Sequence, residues 1–263
     1  MTTLTNDGLL ALAQRLGVQT MPLVLAVGPR HDSYAEWQRA QAEAVTELTG
    51  AGLLDGAGEV ADDIAAALFV LAQPECQLAA RTITADGVRR SCLARRGEQH
   101  AVAIRDGDTY QVRSIWLDGS NAAAGTPLLA ALDPCPPAAV PALSAPADEL
   151  AARLDAAETA DDYIDACYHS GAPERDAVVL GSAFAATRAC TEIVALAHGD
   201  GVTTRAPGAV AVYDTERGRM VAAPSVAPDQ RLWTTVTTGS DHRVAHAITA
   251  LLEGLPGGRW LAH

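Results

Sequence analysis

Two histidines spaced one helical turn apart are the strongest metal-site candidate in this chain of 263 residues. His242 and His246 stand four positions apart, the spacing at which two imidazoles on one helix face can share a metal ion. No Cys or acidic residue follows at a convincing offset to act as a third ligand, so a solvated helix face is the simpler interpretation. Ser240, Asp241 and His242 are the residue types of a hydrolase triad, but direct neighbours at a helix start cannot converge on one another. Capping of the helix by Ser240 and Asp241 explains them.

Two further clusters have structural explanations. Gly56-Ala57-Gly58 lacks the preceding strand and the third glycine of a dinucleotide-binding fingerprint, so a polar turn is favoured. Asp161, Asp162 and Asp165 lie near a helix start, where their charge complements the helix dipole. The chain also lacks a G-x-S-x-G nucleophile elbow. We therefore predict a protein without enzymatic activity, catalytic residues, metal ions or cofactors.

Paired arginines flank one of the apolar segments. Arg89-Arg90 and Arg95-Arg96 are interpreted as charges that protect a strand edge or form ion pairs. Arg89 lies beside an Asp86-Gly87 turn, from which it could also meet an acidic partner.

The charge balance restricts the classes of partner. The formal net charge is −13, all 19 basic residues counted in it are Arg, and lysine is absent, a composition typical of a GC-rich, actinobacterial-type genome. A strongly acidic chain repels nucleic acid and anionic membranes, so neither is an expected partner. A membrane-spanning apolar run, a signal peptide and a paired-cysteine pattern are not recognisable in the sequence, which predicts a cytoplasmic location.

Turn and capping signals divide the first half into elements. A helix is predicted from Thr5 or Asn6 to Gly17, and a second from Ser33 to Gly50. A third, which contains Ile64, Leu68 and Leu71, ends before Pro74. The run 21–27 predicts a short strand, and a helix is expected near 127–132. Four further strands are predicted near 76–84, 88–96, 99–105 and 109–116.

The second half repeats this order of elements. A Pro-rich segment, 134–146, joins the halves 1–133 and 147–263. Helices are predicted at 147–156, 160–170 and 173–186, and a last helix follows Ser240. Strands are predicted near 189–197, 207–213, 218–223 and 231–238. The expected fold is α+β, with an antiparallel sheet flanked by helical bundles and two halves related by an approximate two-fold pseudo-symmetry. We interpret the similar phrases 101–106 and 209–214 as a mark of that duplication.

Four collinear stretches resemble the EspG family, the cytosolic chaperones of mycobacterial ESX (type VII) secretion. They are Asp7–Val18 with Pro22–Leu25, then Leu93–His100 through Asp108, then Asp214–Thr215 with Gly218–Arg219 and Pro224, and last Leu251–Leu261. The resemblance covers essentially the whole chain. One departure is the short segment Thr84–Val88, where some family members have a long loop.

The resemblance implies that the chain binds the hydrophobic tip of the PPE subunit in a PE–PPE heterodimer. Such binding would keep the pair soluble and direct it to secretion, in an expected 1:1:1 complex. In the family, the loop between the second and third strands and the C-terminal helical bundle contact the partner. With 21–27 counted as the first strand, the implied loop residues are Thr84, Ala85, Asp86 and Gly87, with Arg89 beside them. The apolar positions of the bundle are Leu150, Leu154, Tyr163, Ile164, Cys167, Val178, Val179 and Phe184.

Other interpretations stay open on the residues alone. A small-molecule-binding protein or enzyme could use a pocket between sheet and helices. A homo-oligomeric structural protein without a client would equally retain a duplicated scaffold, and self-association into a homodimer is also left open.

Overall fold

The computed structural model describes residues 2–261, which form eight α-helices and eleven strands. The elements of the first half are β1 Thr2–Thr5, α1 Asn6–Arg15, α2 Tyr34–Gly50, α3 Asp62–Ala72, β2 Cys76–Thr84, β3 Gly87–Arg96, β4 Gln99–Asp106, β5 Thr109–Ile115 and α4 Asn121–Leu129. Those of the second half are β6 Leu143–Pro146, α5 Ala147–Asp155, α6 Ala160–His169, α7 Glu174–Ala185, β7 Thr187–Gly199, β8 Val202–Arg205, β9 Val210–Thr215, β10 Gly218–Val226, β11 Leu232–Thr238 and α8 Asp241–Glu253.

Side-chain caps set the starts of several helices where the sequence predicts them. The hydroxyl of Thr5 accepts a hydrogen bond from the amide of Gly8 at 3.0 Å, and that of Ser33 accepts from Glu36 at 3.2 Å. Thr159 and Asp162 form a reciprocal capping box at the start of α6. These caps satisfy amides that the first helical turn leaves without partners.

All eleven strands belong to one antiparallel sheet, which confirms the predicted α+β class. The strand order is β1-β5-β4-β3-β2-β7-β9-β10-β11-β6, with β8 beside β7. Without β8, this order is that of a five-strand unit repeated twice and joined where β2 pairs with β7. The two-fold rotation itself stays a prediction, but the repeated order places the junction of the halves in the middle of the sheet.

The similar phrases at 101–106 and 209–214 do not occupy equivalent strands, so our interpretation of them was wrong. Counted outward from the middle of the sheet, the first phrase lies in β4, the third strand of its half. The second phrase runs into β9, which is the second strand of its half. Both strands are covered by helices on both faces, and small apolar residues suit such strands. The phrases reflect a shared packing environment.

The predicted strand at 21–27 is also wrong. Leu23–Leu25 forms a 3-10 turn, in which the amide of Leu25 bonds to the carbonyl of Pro22 at 3.0 Å. Ala26 follows with a φ of 48°, a left-handed conformation that a strand does not contain. Short apolar runs of this kind do not distinguish strands from buried turns.

Three short strands, β1, β6 and β8, lie outside the predicted set. Strand β6 is formed by the last four residues of the Pro-rich segment, which therefore contributes an edge strand to the second half. Earlier in the segment, Ala138 donates to the carbonyl of Arg219 at 2.9 Å. The helix predicted near 127–132 begins earlier, at Asn121, behind the cap Ser120.

Helices cover the two faces of the sheet in different ways. On one face, α4 and α8 pack across the centre, where Ile248 and Trp260 share a core with Leu78 and Ile193. On the other face, α1–α3 cover β3–β5 and α5–α7 pack over β9–β11. The second face therefore leaves its centre, β2 and β7, between two groups of helices. Within residues 2–261, no helix combines the length and apolarity that a bilayer crossing requires.

Candidate binding groove at the centre of the sheet

The uncovered centre of the second face forms a groove of about 750 Å³. Its floor consists of side chains from β2 and β7 that stand opposite one another and point to the same face. Three cross-strand pairs line the groove: Gln77 with Leu196, Ala79 with Val194 and Arg81 with Glu192. The pair Ile83 with Cys190 continues the same row just beyond its lining. We call these four pairs the groove floor. Val194 and Leu196 are only half-buried, although their strand lies in the middle of an eleven-stranded sheet.

The N-terminal wall of the groove is built by the 3-10 turn and the end of α3. Leu23 lines this wall with 94% of its surface exposed, while the neighbouring Leu25 is fully buried and anchors the turn. An isolated leucine on a surface is ordinary, but here it stands beside an apolar floor. The wall therefore presents a large apolar side chain to anything that enters the groove.

The opposite side of the groove is bordered by β8, whose residues Thr203 and Arg205 line it. Burial raises the pKa of the Cys190 thiol to about 11, and the negative charges of Glu192 and Asp155 act in the same direction. Tyr213, paired with Cys190 across β7 and β9, packs edge-on against Phe184 of α7 at 5.1 Å between ring centroids.

One pair of the floor is charged. Arg81 donates to Glu192 at 2.7 Å, and Arg205 of β8 approaches the same carboxylate at 3.7 Å. His198 closes the end of the groove near β8, where its Nδ1 lies 3.0 Å from the hydroxyl of Thr203. Desolvation lowers the pKa of His198, which favours a neutral ring at physiological pH.

The predicted turn residues lie at one end of the groove floor. Thr84, Ala85, Asp86 and Gly87 form the tight hairpin between β2 and β3, and the last three are exposed. Strand β1 takes the place of the wrongly predicted first strand, so this hairpin is still the one between the second and third strands. Beside the turn, Ile83 and Val88 form an apolar cross-strand pair with 52% and 38% of their surfaces exposed.

Arg89 is not part of the groove. Its strand neighbours Val88 and Arg90 face the groove, so Arg89 points to the opposite face of the sheet. There it donates to the carbonyl of Ala131 at 3.0 Å and to the carboxylate of Asp133 at 3.3 Å. These contacts attach the segment after α4 to the sheet, and the role of Arg89 in partner binding stays a prediction.

The apolar positions of α5–α7 divide by burial. Leu150, Cys167 and Phe184 are only 2%, 0% and 3% exposed and form the core beneath the helices. The prediction that they lie on a binding surface is therefore corrected. The half-buried residues Leu154, Tyr163 and Ile164 pack against the same core. Val178 and Val179 are exposed on α7 at 47% and 36%.

Sequence reasoning missed the groove floor itself. The local signal for it is one charged residue among the apolar residues on the groove face of each strand, Arg81 in β2 and Glu192 in β7. Arg81 and Glu192 become meaningful only as partners, and they are 111 positions apart in the chain.

The residues considered as a metal site or a catalytic triad do not come together into such a site in the part of the chain that the structure describes. His242 and His246 are both exposed on α8, on the face away from the groove, and Ser240 caps that helix through the amide of Arg243. Residues 2–261 contain no group of three or more His, Cys, Asp or Glu side chains placed to hold a metal ion. The arrangement suits the binding of an apolar segment of another molecule.

Comparisons with known proteins agree with the resemblance drawn from the sequence. The sequence model of the EspG family matches residues 5–250. The ESX-1 secretion-associated protein EspG1 of Mycobacterium tuberculosis (strain ATCC 25618 / H37Rv) is 31% identical over 98% of this chain and 89% of its own length. The ESX-3 secretion-associated protein EspG3 of Mycolicibacterium smegmatis is 28% identical over 98% of this chain and 88% of its own length.

A solved structure has the same fold. It is that of the Mycobacterium tuberculosis type VII secretion system chaperone EspG5 in complex with a PE25-PPE41 dimer. The TM-score is 0.81 at 19% sequence identity, over 100% of this chain and 99% of the other. Similarity at this level of identity establishes the architecture.

Proposed function

Because this chain belongs to the EspG family, we propose that it is a type VII (ESX) secretion chaperone that binds PE–PPE heterodimers. It holds the hydrophobic tip of the PPE subunit, keeps the pair soluble in the cytoplasm and directs it to secretion. It acts by binding, without catalysing a reaction, and forms a 1:1:1 complex. The complex in which the structurally similar EspG5 was solved supports this choice of partner.

The observation that carries the proposal is the uncovered apolar centre of the sheet. Val194 and Leu196 are only half-buried in the floor, and Leu23 stands on the wall with 94% of its surface exposed. Central strands of a large sheet are normally covered on both faces, because exposed apolar surface costs free energy and promotes aggregation. A groove between two helix groups fits an apolar helical tip, which it would shield from water.

Co-expression with PE–PPE pairs from the same genome tests the proposal. We expect one pair to co-purify with the chain and to elute as a complex whose mass, measured by light scattering, corresponds to one copy of each protein. Val194→Glu would place a charge in the groove floor and should weaken binding by at least about tenfold, because a buried unpaired charge is strongly unfavourable.

The matched control is Trp116→Glu. Trp116 is 85% exposed just beyond β5, near one edge of the sheet, so the same charge there should leave binding unchanged. A failure of every PE–PPE pair to bind would refute the proposed function. If Val194→Glu weakens the affinity for the PE–PPE pair no more than Trp116→Glu does, the binding surface lies elsewhere.

A further inference from the structure

Among the described residues that line the groove, three arginines and one acid give an excess of positive charge. Arg81 of β2 stands directly opposite Arg90 of β3 on the groove face, and like charges in such a pair destabilise a sheet. Arg205 lines the same groove from β8. Among the groove-lining residues that the structure describes, Glu192 is the only acidic one. Three guanidinium groups thus face one carboxylate, in a chain whose formal net charge is −13.

The contacts of these arginines leave donor capacity free. Glu192 accepts from Arg81 at 2.7 Å and lies 3.7 Å from Arg205, so two arginines share one acceptor group. Arg90 donates to the uncharged carbonyl of Val24 at 3.4 Å. A guanidinium has five N–H donors, and the side chains of Arg81 and Arg205 are 51% and 54% exposed, so both can take a further acceptor.

The charged pair of the floor has apolar pairs on both sides along the strands. Ala79 with Val194 lies on one side and Ile83 with Cys190 on the other. Same-face neighbours on a strand are about 7 Å apart, close to the separation of side chains three or four positions apart on a helix. A helix lying along the floor could therefore place an acid over the arginines and apolar residues over both neighbouring pairs.

We propose that the client segment held in this groove carries a carboxylate that pairs with Arg81 and Arg205, flanked by apolar residues. This inference rests on the proposed function and specifies the chemistry of the PPE tip that this chain accepts. The expected pattern is an Asp or Glu with apolar residues three or four positions before and after it. A charge-assisted hydrogen bond in a half-desolvated groove adds specificity to the apolar contact, because a tip without the acid leaves Arg81 and Arg205 to share the carboxylate of Glu192.

The test uses the full chain and the PE–PPE pair that co-purifies with it. Dissociation constants would be measured by biolayer interferometry for the unchanged chain and for Arg81→Glu and Arg205→Glu. The matched control is Arg243→Glu, because Arg243 is exposed on α8, which covers the other face of the sheet. Thermal unfolding of each variant shows whether it is folded. Since Arg205 lies on the short, exposed strand β8, the milder Arg205→Gln provides a second variant.

We expect both groove substitutions to weaken binding by about tenfold or more, and Arg243→Glu to change it by less than about twofold. Replacing the acid of the client tip with Lys should weaken binding to the unchanged chain and restore binding to Arg205→Glu. A complex whose affinity is the same for all variants overturns this inference and leaves the proposed function standing. If no PE–PPE pair binds even the unchanged chain, the proposed function fails and this inference fails with it.

Discussion

Arg219 connects three parts of the chain through one buried guanidinium group. Its side chain is 3% exposed and donates two hydrogen bonds to Asp214, at 2.6 and 2.9 Å, across the β9–β10 hairpin. A third hydrogen bond, of 2.6 Å, reaches the carbonyl of Asp133, directly before the Pro-rich segment. The same residue's backbone amide donates to Pro136. Arg219 therefore holds the connection between the halves against the sheet.

We predict that Arg219→Met lowers the free energy of unfolding by about 3 to 5 kcal/mol, because it leaves the Asp214 carboxylate without its buried partner. Denaturant unfolding followed by circular dichroism measures this loss. The control is Arg188→Met, which removes a pair with Glu216 whose side chains are 70% and 62% exposed. Exposed pairs contribute less than about 1 kcal/mol, so an equal effect of the two substitutions would contradict the assigned role.

At the scale of elements, the close approach of α6 and α7 determines which apolar residues of the C-terminal bundle reach the surface. Gly181 lies at their crossing, where a methyl group would come within 2.5 Å of the Cα atom of Ile164. The two helices can be this close only because the position lacks a side chain. Their packing buries Leu180 and Phe184 and leaves Val178 and Val179 exposed on the outer side of α7.

We predict that Gly181→Ala destabilises the protein by about 1 to 3 kcal/mol, since the added methyl group forces α6 and α7 apart. The control is Gly50→Ala at the end of α2, where a methyl group would meet no atom within 4 Å. Alanine favours helix by up to about 1 kcal/mol over glycine, so this control should be neutral or slightly stabilising. Thermal melting compares the two variants, and a neutral Gly181→Ala would show that the helices are not in tight contact.

At the scale of the whole molecule, the two halves share one sheet. Strands β2 and β7 pair over nine residues, from Cys76 opposite Ala197 to Thr84 opposite Ala189. The groove floor is made of both strands, so neither half contains the complete groove. Separation of the halves would also expose the backbone edge of a long central strand.

We predict that the fragments 1–133 and 134–263 aggregate when each is expressed alone and form a 1:1 complex when they are expressed together. The reason is that β2 and β7 satisfy each other's edge hydrogen bonds and complete the core beneath α8. Size-exclusion chromatography with light scattering distinguishes these states. A soluble, folded monomer of either fragment would show that the halves are independent domains.

Local signals determined much of this protein from its sequence alone. The caps Thr5, Ser33 and Thr159, the Asp86-Gly87 turn and the helical spacing of α8 each depend on residues close together in the chain, so the elements they define could be predicted. The hairpin at one end of the groove was found in this way. The strand predicted at 21–27 was wrong because a short apolar run does not reveal its hydrogen-bond partners.

The tertiary structure alone decided where the groove lies and which side chains are free to line it. Arg81 and Glu192 meet through the pairing of β2 with β7, and no local signal specifies that pairing. Leu150 and Val178 are both apolar residues on amphipathic helices, yet one is buried and the other is exposed, because burial depends on what packs against each helix. The sequence therefore determined the helices and the long strands, whereas long-range packing determined the short strands and the position of the groove.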